Sequence, residues 1–265
     1  MTFRGIDNSV MEKNDFLILV INLDRAPNRL EKISLQLNRL GLAWERVSAA
    51  DGKNLNIHDE NLLDTKSFGA RHGKTPLPGE LGCYLSHVWA FERFLKSDFK
   101  FALVLEDDVL LRDELPAVLD KLKTREDAWD MVKLSGVHSG TPVSVAQLTP
   151  LHQLTVMLSR CTGSSAYAVN RHAAKIYAQG LLPMKLPYDH EFDRAWYWHL
   201  KVRMIVPHPC GHDDQEISMI NTSQTVKVKF HWTRRLSAYR WRLGNELNRF
   251  FHGLNQWLRH KFFFS

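Results

Sequence analysis

Three adjacent acids, Glu106, Asp107 and Asp108, follow the uninterrupted apolar run Phe101, Ala102, Leu103, Val104 and Leu105. Carboxylates this close repel one another and cost stability unless a cation sits among them. Hard oxygen ligands suit Mg²⁺ or Mn²⁺, ions commonly shared with substrate phosphates. The same acids would also suit a helix N-terminus, with residues 110–122 as the helix that follows. A continuous apolar run, as opposed to an alternating one, marks a strand covered on both faces. In open α/β sheets ligands bind beyond the carboxyl ends of the strands, where this run would deliver its acids.

Charge of the opposite sign comes from an earlier junction. Residues 16–23 read as a buried strand, and Pro27 suits a first helical position. Leu30, Ile33, Leu37 and Leu40 then recur at helical spacing until Gly41. Arg25 and Arg29 stand four apart at the start of that helix, where N–H groups and the helix dipole favour anions. Two guanidiniums there would suit a diphosphate; a solvated helix end is the plainer alternative. Residues 44–49 read as a second strand leading into Asp51-Gly52, which is either a turn or a holder of a base or ribose hydroxyl. Residues 53–77, polar and irregular, read as a loop over the site.

A helix is expected from Pro78 to about Lys96, apolar on nearly all sides and therefore buried. Gly82 and Ser86 give it a small side that a backbone or ligand could approach, and His87 beside them reads first as a satisfied buried histidine. Past the acids, residues 114–123 suit a helix and 130–135 a strand, while 136–153 are turn-rich. Residues 155–158 and 165–169 suit paired strands, Asn170 caps a helix ending at Gly180, and 202–206 suit a last strand. Asp189 and Asp193 share the i, i+4 spacing of a helical face.

With 265 residues, 44% of them hydrophobic and 24% charged, the chain has globular composition and room for one large α/β domain with an appendage. Cys83, Cys161 and Cys210 are odd in number and widely spaced, which argues against a disulfide framework or a CxxC zinc site and fits a reducing compartment. Residues 1–14 look like a loose leader without a secretory signal, so a cytoplasmic location is expected. The net charge of +6 is uneven: residues 227–265 hold nine Lys or Arg against Glu246 alone, giving that tail +8 and the rest −2. A nucleic-acid-binding core is thereby disfavoured. Along the tail, Trp232, Leu236, Leu243, Leu247, Phe250, Leu254 and Leu258 form a stripe flanked by Arg235, Arg242 and Arg249. This is the pattern of a basic amphipathic helix lying on a membrane, the alternative being a helix docked on the protein's own core.

Taken together, the motifs Val20-Ile21-Asn22-Leu23-Asp24-Arg25 with Arg29, Ser48-Ala49-Ala50-Asp51-Gly52, Gly79-Glu80-Leu81-Gly82-Cys83-Tyr84-Leu85-Ser86-His87 and Ala102-Leu103-Val104-Leu105-Glu106-Asp107-Asp108 resemble glycosyltransferase family 25. Weaker matches are Gly163-Ser164-Ser165-Ala166-Tyr167 and Pro187-Tyr188-Asp189. The resemblance implies a GT-A-like α/β fold, a Rossmann-like nucleotide half around a mixed central sheet, placed over residues 1–226; it does not extend to the basic amphipathic tail, residues 227–265. It implies inverting transfer of a hexose, galactose from UDP-galactose foremost, onto a lipid-linked lipopolysaccharide oligosaccharide at the cytoplasmic surface of the inner membrane. On that reading Glu106 and Asp108 hold Mn²⁺ or Mg²⁺ as an E-x-D form of the D-x-D motif, with His212 as a late ligand. Asn22, Leu23, Arg25, Arg29, Asp51, Ser86, His87 and Asp107 would bind the nucleotide sugar. Asp189 would be the base, with Asp193 and Glu191 next in line. Two other classes stay in view. A nucleotidyltransferase would need a glycine-rich phosphate loop that the sequence lacks, and a non-catalytic membrane- or nucleic-acid-binding protein would explain only the tail.

Overall fold

The computed structural model describes residues 15–137, 140–212 and 230–263; the leader expected over 1–14 lies outside them. The first apolar run forms β1 (Phe16–Asn22), and Pro27 opens α1 (Pro27–Arg39), with Gly41 in the left-handed region (φ +67°) just past its end. β2 (Trp44–Ser48) follows. Residues 53–77 are more regular than their composition implies. α2 (Thr65–His72) forms there, its start capped by Asp64, which accepts from Ser67 N at 2.8 Å, and its end closed by Gly73 at φ +75°. α3 (Pro78–Leu95) is buried around most of its circumference, and Glu80 accepts from Leu77 N at its start.

β3 (Phe101–Glu106) is the buried apolar strand, and β4 (Val109–Leu111) comes directly after it. Asp107 and Asp108 are therefore a two-residue link between strands and not the first turn of a helix, because α4 (Leu115–Lys123) begins only later. β5 (Met131–Lys133), β6 (Pro142–Gln147), β7 (Gln153–Met157) and β8 (Ala166–Asn170) lead to α5 (Arg171–Gly180), which Asn170 caps by accepting from Ala173 N. The short α6 (Tyr188–Phe192) and α7 (Ala195–Trp198), β9 (Val202–Val206), β10 (Cys210–His212) and the long α8 (Leu236–Phe263) complete the described elements.

The strands from β1 to β9, β4 excepted, make one mixed sheet in the order β2-β1-β3-β8-β5-β9-β7-β6; β10 and β4 pair separately. β7 and β8 do not pair with each other as the sequence led us to expect. β8, buried along most of its length, inserts antiparallel between β3 and β5, whereas β7 sits antiparallel between β9 and β6. β6 lies in the turn-rich stretch because it is a half-exposed edge strand, where polar residues and Pro142 carry little cost.

The unbroken apolar runs have a direct reason. Leu17, Leu19 and Ile21 of β1 and Ala102 and Val104 of β3 join the core beneath α3 and α5, while Phe16, Ile18, Val20, Phe101, Leu103 and Leu105 join the one beneath α1 and α4. Both faces are covered, so both alternating sets must be apolar. Because β1 lies between β2 and β3, all three parallel, the chain reverses its winding at β1 and leaves a crevice at the carboxyl ends of these strands.

Asp193 ends α6 and is buried, so it shares no exposed helical face with Asp189. Its carboxylate takes a hydrogen bond from Lys133 Nζ at 2.9 Å and from Cys161 N at 3.1 Å and faces Arg249 of α8 at 3.5 Å. Glu191 is similarly occupied by Arg194 at 2.8 Å. Both carboxylates are buried structural ion pairs rather than bases in waiting. Lys133 is fully buried, so Asp193→Ala, which strands its ammonium, is expected to cost about 3–5 kcal/mol in urea unfolding.

Candidate active site

A cleft of about 510 Å³ opens at the crevice. Its walls come from the ends of β1 (Ile21, Leu23), β2 (Ala49, Ala50, Asp51) and β3 (Glu106), from the Asp107-Asp108 link, and from the first turns of α3. The volume lies within the range of roughly 300–1,000 Å³ that small-molecule sites occupy.

The acidic link is held from several sides. Arg29, in the first turn of α1, reaches Asp107 Oδ1 at 2.9 Å and Asp108 Oδ2 at 2.7 Å. Asn22, the last residue of β1, donates from Nδ2 to Asp107 Oδ2 at 2.7 Å and to Ala26 O at 2.9 Å. Burial pushes the Asp107 carboxyl up to about 6; Asn22 and Arg29 oppose this, and the neighbouring charges of Asp108 and Glu106 add to it. Asp108 Oδ1 is buried without a hydrogen-bond partner among the described residues. An unsatisfied, desolvated carboxylate oxygen beside two further acids is a donor set suited to a hard divalent cation.

Glu106 is approached by His87 Nε2 at 3.3 Å, and His87 Nδ1 lies 2.9 Å from the Tyr167 hydroxyl. Tyr188 donates to Tyr167 at 2.6 Å, so the Tyr167 proton is directed to His87 Nδ1 and the imidazole's own proton to Glu106. Tyr188 also stacks on the imidazole, ring centroids 3.7 Å apart. Burial holds the His87 pKa down at about 3, so the ring is neutral.

The start of α3 meets the end of β2 with no room to spare. A Cβ on Gly82 would stand 2.5 Å from Ala50 O, and one on Gly52 2.0 Å from Pro78 O. Ser86 Oγ accepts from Ala50 N at 2.9 Å and donates to Gly82 O at 2.7 Å. The glycines and the serine of these motifs thus pin the wall carrying Asp51.

Of the residues singled out in the sequence, Leu23, Arg25, Arg29, Asp51, Ser86, His87, Glu106, Asp107 and Asp108 all line this cleft. Asn22 stands behind it, its side chain taken up by Asp107, Ala26 and Arg46. Arg25 is ion-paired with Asp51, so both arginines hold carboxylates here. Asp189 is half-buried on α6 and is not in the cleft wall. His212 ends β10 with its backbone opposite Val109, next in sequence to Asp108; its side chain lies outside the described residues. Lys53 and Cys83 also line the cleft and escaped the sequence reading. Cys83 had a signal, since it precedes His87 by one helical turn. A ligand atom each from Cys83, His87 and Glu106 lies within 4.8 Å of the others.

The buried neutral histidine has a measurable consequence. Between pH 6.5 and about 3 the unfolded chain binds a proton that folded His87 refuses, so this residue's contribution to stability falls as pH falls through that window. Urea unfolding from pH 7 to pH 4 is expected to show a steeper loss for the wild type than for His87→Gln.

Residues 16–191 match the family model described as "Glycosyltransferase family 25 (LPS biosynthesis protein)". Among curated proteins, a "Glycosyltransferase 25 family member" of Aedes aegypti is 33% identical over 123 residues, 43% of this chain and 20% of that one. "Procollagen galactosyltransferase 1" of Danio rerio is 28% identical over the same length and shares. "Probable inactive glycosyltransferase 25 family member 3" of Bos taurus is 29% identical over 125 residues, 44% of this chain and 21% of that one. The matched part is about a fifth of each relative's length. The mixed α/β sheet with its cleft at the switch point is compatible with a GT-A-like fold. With the family's motifs converging on one cleft and its model spanning most of the chain, this protein belongs to glycosyltransferase family 25.

Proposed function

We propose that this glycosyltransferase moves a hexose, foremost galactose from UDP-galactose, onto an oligosaccharide of lipopolysaccharide type, with inversion at the anomeric carbon. The observation that carries the reading is the orphaned Asp108 oxygen and its neighbouring carboxylates, set in one cleft with Arg25, Arg29 and Lys53. Acids alone would repel a sugar nucleotide, and cations alone would bind phosphate without a place for a metal. The galactosyl preference is supported by the name of the zebrafish relative, and the acceptor class by the family's description.

Glu106 and Asp108 would hold Mn²⁺ or Mg²⁺, with His212 as a further ligand from β10. Such an ion supplies Lewis-acid charge against the leaving diphosphate. The chain's own residues do the rest. Arg25 and Lys53 at the mouth favour the donor's negative charge, while Leu55 and Ile57 give the same cleft an apolar wall for the base. Arg29 and Asn22 fix Asp107, and the Tyr188–Tyr167–His87 chain fixes Glu106. In the transfer, the bond between the anomeric carbon and the diphosphate oxygen breaks as the acceptor oxygen bonds to that carbon from the opposite side, and the acceptor's proton passes to a base. His87 is neutral and already hydrogen-bonded at both nitrogens; Asp189 of α6, in the Pro187-Tyr188-Asp189 stretch that resembles the family, is the proposed base. Binding of a nucleotide sugar without transfer is a second reading, favoured by the family relative described as inactive.

Asp108→Asn, which keeps shape and removes charge, is expected to lower UDP release by at least about a hundredfold with the melting temperature unchanged. Near-normal turnover at saturating Mn²⁺ would remove the acidic link from the mechanism. Below about pH 6 Asp107 is protonated, and its negative charge no longer assists a cation held by the adjacent Glu106 and Asp108. Mn²⁺ affinity, read by calorimetry, should therefore weaken as pH falls from 7 to 5. Asp189→Asn should lower kcat while sparing the KM for donor; equal losses in both would argue against a base.

A further inference from the structure

α8 is docked the opposite way round from an ordinary surface helix. Its buried positions are Ala238, Arg249 and Gly253. On that inward side Arg242 donates to His72 O at 2.8 Å, Arg249 meets Asp193, and Gln256 accepts from Arg203 at 2.9 Å. A Cβ on Gly253 would stand 2.9 Å from Met157 O, so only glycine lets the helix come this close. The leucine stripe is not what docks. Leu236, Leu243, Leu247, Phe250, Phe251 and Leu258 are between 36% and 64% exposed. At 3.6 residues per turn they fall on one side of the helix, away from Ala238 and Arg249.

An apolar face running the length of a 28-residue helix exceeds the scattered exposed leucines of an ordinary surface. It is not a spanning segment, since no helix among the described residues is long and apolar enough to cross a membrane. Charge selects the occupant. The helical period puts Arg240 and Lys261, both exposed, among the outward leucines, and the one acid of residues 227–265, Glu246, is paired with Arg249 at 2.6 Å. A second copy of this chain, packed face to face through a two-fold axis, would set the cations of one face against the cations of the other. A surface that is apolar within and anionic at its boundary complements both features.

We propose that the outward face of α8 lays the protein on an anionic phospholipid bilayer, the helix axis parallel to the surface, while the Arg249–Asp193 contact ties that helix to the end of α6 and the Gln256–Arg203 contact ties it to the sheet. This is independent of the transferase reading, and its test needs no activity. The full chain is floated with vesicles of phosphatidylcholine alone or with about one-third phosphatidylglycerol. Partition onto the anionic vesicles is expected, and it should weaken as salt is raised. Replacing Leu243, Leu247 and Phe250 together by Ser, at outward positions between 43% and 64% exposed, should lower that partition by at least about tenfold with the melting temperature retained. Arg240→Glu with Lys261→Glu should leave the leucines in place and abolish the preference for anionic lipid. The proposal is overturned if the wild type ignores anionic vesicles, or if partition survives the triple substitution. It is equally overturned if light scattering shows a dimer in the absence of lipid that the triple substitution dissociates.

Discussion

Three carboxylates at the end of one buried strand set the constraint that the rest of this structure answers. Left alone, Glu106, Asp107 and Asp108 would repel and would pay for desolvation as well. Each is instead held by a residue from a different element: Asn22 from β1, Arg29 from α1, and His87 from α3, backed by Tyr167 from β8 and Tyr188 from α6. This explains why β1 must neighbour β3, why α1 must start within reach of the acidic link, and why β8 must run beside β3. A fold that shuffled any of these would leave a carboxylate without its partner.

The compensation is incomplete in a way that matters for chemistry. Arg29 supplies one positive charge to two carboxylates, Asp107 keeps its proton up to about pH 6, and Asp108 Oδ1 is buried without a hydrogen-bond partner among the described residues. A purely structural acid cluster would be expected to satisfy all its oxygens. The proposed uptake of a divalent cation and a diphosphate would require some to stay unsatisfied until they arrive. The wall opposite is tightly packed, because Gly82 and Gly52 let α3 touch the β2 end.

Much of this could be read from the residues, because the strongest signals were local. The double-faced apolar runs gave β1 and β3, Pro27 and Gly41 bounded α1, and nine of the residues proposed for the site line one cleft. What escaped depended on distant partners. The pairing of β7 and β8 elsewhere is set by which strands flank them, and no local pattern carries that. Asp193 has the spacing of a catalytic acid, yet Lys133, sixty residues away in sequence, claims it. Ser86 looked available until Ala50 and Gly82 were seen to use its hydroxyl. α2 was the exception, since Asp64 and Gly73 marked both of its ends and the polar composition between them obscured the pattern. The tail was half legible: the stripe was visible, but the choice of docked side rested on Gly253 and on arginines that the sequence showed only as flanking the stripe.

The central claim is that the cleft beyond β1, β2 and β3 transfers a hexose from a UDP-sugar. It is tested most directly by incubating the full chain with Mn²⁺ and each of several UDP-sugars, with and without lactose- or glucose-terminated acceptors, and following both UDP release and acceptor mass. The account predicts acceptor-dependent UDP release and a mass gain of one hexose, foremost with UDP-galactose. Folded protein that releases no UDP from any donor, with acceptor and Mn²⁺ present, would contradict it.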